Sequence, residues 1–538
     1  INRNNVNAYV HDTWRINQNW TLDYGLRYEV YTPVTERANR TSSFRNTFPP
    51  PGVGQEYLIN PRPTYRTNWN GWGPRVQVSW NAPWAVRVHA GGAMTVIPPN
   101  IWQDNLLTGS TPYVVYPHVN ATKNGGIAYG FQITPDQLPQ VYTPDGVNIL
   151  ASGDPKQVPA NTVMDVNRYQ QDLAALSPSH QLSLLNLSGI DRRFGNAFLQ
   201  TWTLGLERAF GKLTANIGYV GTSAFRLPRF SYPNAYQGAD PGFARFTNFD
   251  SSGAVTGGFG FETVVTGTAH SSYHALQTSL AGQVSHGGPA LQASYTFSKS
   301  LDDVSGLAGG AGSTGAVAIF SPQDPFDTRS EKGPSSFDVT HAFTVSAAQD
   351  LHLEHFGLQP DRLQVLTKGW QLLSISTIMS GSPFTVYSGI QQTGAGTIGA
   401  DRPDQIAKPD LSTAHSSTRR REDYFGRGGD NASFFSIPIG IAGGTGPNSG
   451  RFGTLGRNTF RGPAYYNFDF ALIKTTPIGR RSSGLERLDL QFRAEFFNLF
   501  NIVNMGLPAN TIKGSGFGVI SKTAGTSRQI QFSLKVIY

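Results

Sequence analysis

The end of the chain constrains its fold most. From Ser527 to Tyr538 the residues alternate, with Ile530, Phe532, Leu534, Val536 and Tyr538 on one side and Gln531, Ser533 and Lys535 on the other. A period of two belongs to a β-strand with one apolar and one polar face. An upstream stretch repeats the pattern with stronger polar groups: Leu488, Leu490, Phe492, Ala494 and Phe496 alternate with Asp489, Gln491, Arg493 and Glu495. A slip of one residue would exchange the two faces. If the apolar side meets lipid, each cation turned towards it costs about 2 to 4 kcal/mol at the bilayer midplane. The register is therefore firmly set.

Composition bounds the class. Of 538 residues only 14% are charged and 12% are aromatic, with 60 glycines and 34 prolines. Low charge, many aromatics and many turn formers favour an all-β chain with long loops. Cysteine is absent, which excludes a disulfide scaffold, thiol catalysis and cysteine-bound zinc and suits an oxidising compartment. The net charge of +8 is scattered without a basic run, so nucleic acid is not an expected partner. No apolar run reaches 18 residues. That rules out a membrane helix but not a membrane barrel, whose strands need only about 9 to 11 alternating residues. The chain starts at Ile1 without a signal peptide, as expected of a processed form or of the C-terminal part of a longer product.

In chain order, strands are expected at 6–15, 20–31, 74–80, 85–96, 199–208, 213–222, 273–284, 290–299, 339–349, 369–379, 464–474, 487–498 and 527–538. Short turns such as Asn17-Gln18-Asn19, Asn81-Ala82-Pro83 and Gly211-Lys212 join some of them. Long polar or Pro-rich segments at 33–71, 97–196, 225–269, 301–336 and 381–461 join others. Short and long links alternate along the chain. This predicts one transmembrane antiparallel up-and-down β-barrel over 1–538, with short periplasmic turns and long extracellular loops. A sandwich would spread its long loops over both ends, and a propeller would repeat every 40 to 50 residues or so. Trp14, Trp20, Trp80, Trp84, Trp202 and Trp370 lie near expected strand ends, where interfacial girdles form. About thirteen strands are countable. Single-chain bacterial barrels have even numbers, so a missed strand or an incomplete barrel is expected.

The strings YVHDTWRINQNWTLDYGLRYE (9–29), GPRVQVSW (73–80), YHALQTSLAGQVS (273–285), YTFSKSLDD (295–303), FDVTHAF (337–343), GWQLLSISTIMSGSPFTV (369–386), GRNTFRGPAYYNFDFALIK (456–474) and LQFRAEFFNLFNIVN (490–504) resemble the barrel of TonB-dependent receptors, and most closely the Oar-like group. The resemblance spans nearly the whole chain in order. It implies that Phe532, Leu534, Val536 and Tyr538 form the signal read by the barrel-assembly machinery. It also implies a setting among outer-membrane lipid and lipopolysaccharide, and function in uptake or export of a large or scarce solute. A complete family member resembles, in order, a signal peptide, a plug with a TonB box and a barrel of about 22 strands. Only the C-terminal barrel portion is recognisable here, so engagement of the TonB complex is expected only with an upstream plug.

Chemistry-bearing motifs are weak. His352-Leu353-Glu354-His355 lacks a third spaced metal ligand. Asp302-Asp303 and Asp324 to Asp327 suggest calcium in a loop, yet they lack EF-hand spacing and read rather as plain surface loops. The Gly-rich stretches at 305–315 and 442–450 open no helix, and no nucleophile elbow is present. No catalytic residue, metal site or cofactor is expected. The polar faces say more. Asp23, Arg27, Glu29, Arg75, Arg87, Glu207, Asp469, Asp489, Arg493 and Glu495 all fall opposite the apolar stripe. Both signs occur together, so a lumen of paired charges is expected, bracing the wall or a plug or touching solute. The alternative function is a surface anchor whose loops at 97–196 and 381–461 bind other proteins.

Overall fold

In the computed structural model, the described residues are 2–50, 53–99, 107, 111–113, 139–151, 154–175, 184–235, 246–249, 251, 255–260, 262–285, 287–305, 322–353, 364–390, 392–393, 401–409, 411, 421–426, 430–439, 450–478 and 488–537. Thirteen long strands pair in sequence order within one antiparallel sheet. They are β1 (Asn5–Arg15), β2 (Trp20–Tyr31), β3 (Trp72–Ala82), β4 (Val86–Ile97), β5 (Ala197–Phe210) and β6 (Leu213–Ser231). Then follow β7 (Glu262–Gln283), β8 (Ala290–Asp302), β9 (His341–Leu351), β10 (Trp370–Met379), β11 (Tyr465–Ile478), β12 (Leu488–Phe497) and β13 (Gln529–Ile537). Each strand pairs with the next, and the order ends at β1 and β13. None of the described helices is long and apolar enough to cross a membrane.

The turns follow from their residues. Asn17 Oδ1 accepts hydrogen bonds from the backbone N–H of Asn19 (2.8 Å) and Trp20 (3.0 Å), closing the β1–β2 turn. Gly211, with φ +60°, makes the two-residue connection from β5 to β6. Antiparallel alternation puts these turns on one side of the sheet and the long links after β2, β4, β6, β8, β10 and β12 on the other.

Strands β6 and β7 exceed expectation. The segment 225–269 was expected to be loop, yet 225–231 belong to β6 and 262–269 to β7. Their pairing continues past irregularities between Ala224 and Pro228. A bulge breaks the alternation without ending the ladder, which is why period two lapses there while the strands run on.

The long-loop side carries its own packed cores. Phe44, Tyr57, Ile59, Met164, Tyr169, Leu187 and Val264 form one, drawn from 33–71, 97–196 and the upper end of β7. Within it lies helix α1 (Val166–Ala175). Phe384, Tyr424, Phe425, Phe434, Phe435 and Phe460 form a second. Phe425 has ring centroids of Phe435, Phe460 and Phe517 at 5.3 to 5.4 Å. Phe435 and Phe460 meet it edge to face and Phe517 stacks on it, arrangements that are specific in geometry. The largest fully buried side chains, Tyr57, Tyr65, Tyr169 and Phe44 among them, sit in these links, whereas β1 is exposed along its whole length.

Candidate functional site

Residue pairing carries one polar face across the whole sheet. Asp23 opposes Gln77, and Gly25 opposes Arg75. From β3 the face passes through Asn81 and Arg87, and from β4 through Arg87 and Glu207. It continues through Asn216, Ser279, Ser294, Thr344 and Thr377 to Asn467. Beyond β11, Ala471 opposes Glu495, Ile473 opposes Arg493 and Pro477 opposes Asp489. Since directly opposed residues share a face and alternate residues return to it, all ten of the ionisable residues singled out from the sequence lie on this one face.

Their partners are mostly each other. Arg27 Nη2 lies 2.7 Å from Glu29 Oε1 and Arg493 Nη2 3.5 Å from Glu495 Oε1, both pairs two residues apart on one strand. Arg87 and Glu207 approach across β4 and β5 at 3.6 Å. Thr13 Oγ1 donates to Asp23 at 2.6 Å. Asp469 accepts from the Asn467 amide and from the Asn498 backbone N–H, each at 2.8 Å. Glu29 is buried. Asp489 also has a partner. A mixed-sign wall of this kind neutralises itself and offers hydrogen-bonding groups rather than one sign of field.

The opposite face is apolar. Leu204, Leu206, Ile217, Leu276, Phe297, Phe492, Phe532, Leu534 and Val536 lie on it and are all exposed. Monomeric soluble proteins rarely expose so extended an apolar surface. Aromatic residues border it. Trp20 stacks on Trp80 at 5.1 Å near the short turns, and Tyr28 meets Trp72 at 4.3 Å near the long links. The eight residue steps from Trp20 to Tyr28 rise about 26 Å along the strand and, at a tilt of about 40°, about 20 Å along the barrel axis. This height suits the apolar band of an outer-membrane wall, about 25 Å tall.

Several polar groups on this face satisfy one another. Trp202 Nε1 donates to Tyr219 Oη at 3.2 Å, and that hydroxyl lies 2.6 Å from His274 Nδ1. Gly221 makes room for the Trp202 indole, which a Cβ at that position would overlap. Near the short links Lys474 Nζ lies 5.8 Å over the Trp370 ring. Long cationic side chains reach the interface in this way. Trp14 borders the short-turn end of β1, and Trp84 is 81% exposed in the β3–β4 turn.

Carboxylates that suggested calcium are taken. Asp302, expected in a surface loop, is buried and pairs with Arg457, while Asp303 lies 2.5 Å from Arg229 Nη2. Asp327 pairs with Arg329, which holds its carboxyl down at about 2, and Asp324 accepts from the backbone N–H of Phe326 and Asp327. Among the described residues no group of three His, Cys, Asp or Glu could hold a metal ion. Glu354 and His355 lie outside the described residues, as do 306–315, 442–449 and Tyr538.

The braces between long links were not foreseen. Arg402 Nη1 donates to Glu331 Oε2 at 2.9 Å, Arg457 Nε to the Glu331 carbonyl at 2.8 Å, and Arg461 pairs with Asp338. These partners stand 71 to 126 positions apart, and no local pattern links them. Gln55 Nε2 donates to buried Glu262 at 3.0 Å, and burial pushes the Glu262 carboxyl up to about 8.

The model of one protein family, described as outer membrane beta barrel domain, matches residues 1–531. The chain belongs to the outer membrane beta barrel domain family. That places its kind in the outer membrane and among barrels. No curated protein is similar enough in sequence to match. Among solved structures, the siderophore receptor PirA from Acinetobacter baumannii is similar at 10% identity and TM-score 0.44, covering 99% of this chain and 45% of that one. The ferripyoverdine receptor of the outer membrane of Pseudomonas aeruginosa is similar at 11% identity and TM-score 0.39, covering 99% and 38%. The outer membrane transporter YddB from Escherichia coli is similar at 10% identity and TM-score 0.39, covering 99% and 53%. This barrel-family chain thus spans about half or less of the length of these structures.

Proposed function

We propose that this chain is wall of an outer-membrane transporter of the TonB-dependent, Oar-like type, moving a large or scarce solute. The observation that supports it best is the unbroken thirteen-strand sheet on which those ten charged residues keep to one face and an exposed apolar band occupies the other. Lipid takes the apolar face, together with lipopolysaccharide at its outer rim. A water-filled or plugged interior takes the other, so Asp23, Arg27, Glu29, Arg75, Arg87, Glu207, Asp469, Asp489, Arg493 and Glu495 line the lumen. The long links lie at the cell surface. Paired charges suit a hydrogen-bonded plug better than a single-sign filter. Unpaired backbone at the free edges of β1 and β13 cannot face hydrocarbon, so further strands close the wall between them. Phe532, Leu534, Val536 and Tyr538 of the terminal strand are what the barrel-assembly machinery reads. Energised uptake requires a plug that engages the TonB complex.

A second reading is favoured by the two aromatic cores of the long links: a barrel that anchors a protein-binding surface. Accumulation of a panel of labelled iron chelates, oligosaccharides and peptides separates the two. Cells carrying the complete gene are compared with a deletion strain, with and without an uncoupler. Transport predicts gene-dependent periplasmic accumulation that the uncoupler abolishes. Surface binding of a protein with no entry of any probe would sink the transport reading.

A further inference from the structure

A cavity of about 240 Å³ lies on the long-link side, at the ends of β3, β5 and β6, lined by Arg66, Thr67, Asn68, Arg193, Phe194 and Arg226. Three arginines line it and no carboxylate does. Like charges brought together repel, and water screens the exposed Arg66 and Arg193. Arg193 has a carboxylate neighbour, Asp191 at 3.4 Å. Among the described residues neither Arg66 nor Arg226 forms an ion pair.

Two further features lie beside this cavity. The Asn68 side chain accepts from the Asn70 backbone N–H at 3.0 Å, yet its amide nitrogen is buried with no hydrogen-bond partner. An unpaired buried donor is rare in native structures and calls for an explanation such as an unseen ion or ligand. Arg226 holds a left-handed backbone, φ +58°, at the β6 irregularity. Non-glycine residues seldom adopt that conformation, and such outliers gather at binding sites. Gly195 completes the geometry. A Cβ there would stand 3.4 Å from Arg226 Nη2 and 3.5 Å from Asn68 Cβ, so its lack of a side chain leaves the guanidinium and the amide flanking one point. The edge-to-face pair of Phe194 and Tyr65, 5.6 Å apart, backs the cavity on one side.

We propose that this cavity binds an oxyanion group, a phosphate or carboxylate, which the Arg66 and Arg226 forks and the Asn68 amide grip together. Planar guanidinium donors match both oxyanions in two-point geometry. The group is carried either by a soluble ligand or by the phosphorylated head of an outer-leaflet lipid. The site is independent of whether the barrel transports anything.

The test uses the full chain in detergent micelles, with citrate and inorganic pyrophosphate as soluble probes and purified lipid A as the lipid-borne one, followed by calorimetry. Wild-type protein is compared with the double variant R66Q/R226Q, with N68L, and with R329Q, whose exposed guanidinium lies elsewhere. Binding of either probe class, weakened about tenfold or more in R66Q/R226Q and in N68L but not in R329Q, supports the site, and the class that binds identifies the source. Unchanged heat-modifiable migration on gels shows that the variants are folded. Binding of neither class to folded wild type, or equal weakening in R329Q, overturns the proposal.

Discussion

Glu262 concentrates what burial does to a single group. It lies at the long-link end of β7, beyond the membrane-spanning part, where it pairs with Leu187. Its Oε2 accepts from Gln55, while its Oε1 and the Gln55 Oε1 are buried without partners. A protonated carboxyl would have a hydrogen to offer. The folded group titrates near 8 against an ordinary 4.5, so the folded chain keeps a proton that the unfolded chain releases. This contribution to stability is full below about 4.5, falls as pH rises towards about 8 and levels off above. Glu262→Gln keeps the acceptor and removes the titration. Thermal unfolding of the detergent-solubilised protein should then depend less on pH between 5 and 8, and the variant should be the more stable at pH 9. An unaltered pH dependence would show that the carboxyl is not held neutral.

Strands and links differ in how they are encoded. In β13 the apolar face includes Leu534 and the polar face Ser533. Leu534→Arg should weaken folding into lipid vesicles by about 2 to 4 kcal/mol, and Ser533→Arg by much less, as read by urea titration. Equal effects would mean that the two sides meet the same medium. Thirteen strands were readable from alternation because each residue there takes its environment from parity alone. Parity also placed all ten charged residues on one face. Where a bulge shifts β6 against β7, alternation lapsed and the strand ends were lost. The cores of the long links were invisible for a different reason. Phe384, Phe425 and Phe460 meet by tertiary packing across 76 positions of sequence, and no period marks them. Phe425→Ala should remove about 3 to 5 kcal/mol of local stability. The expected readout is fast protease cleavage within 381–461 while the strands stay protected. Cleavage no faster than in wild type would contradict an independent aromatic core.

Taken as one body, the chain is a sheet two of whose faces have opposite chemistry and whose packed cores sit beyond one rim. In a soluble protein the cores would lie between the sheet and its cover. Here the apolar face is bare, and the charged pairs Arg87–Glu207 and Arg493–Glu495 stand on the reverse. Closure by further strands, passage of solute and capture by the links all presuppose that lipid covers the bare face. Adjacent residues test this directly, because the chain has no cysteine of its own. Asn216 and Gln277 lie on the polar face, and their neighbours Ile217 and Leu276 on the apolar one. Single cysteines at these positions, labelled with bimane in vesicles of brominated lipid, report contact with acyl chains by quenching. The account predicts strong quenching at 217 and 276 and little at 216 and 277. Equal quenching within each adjacent pair, or the reverse order, would contradict it.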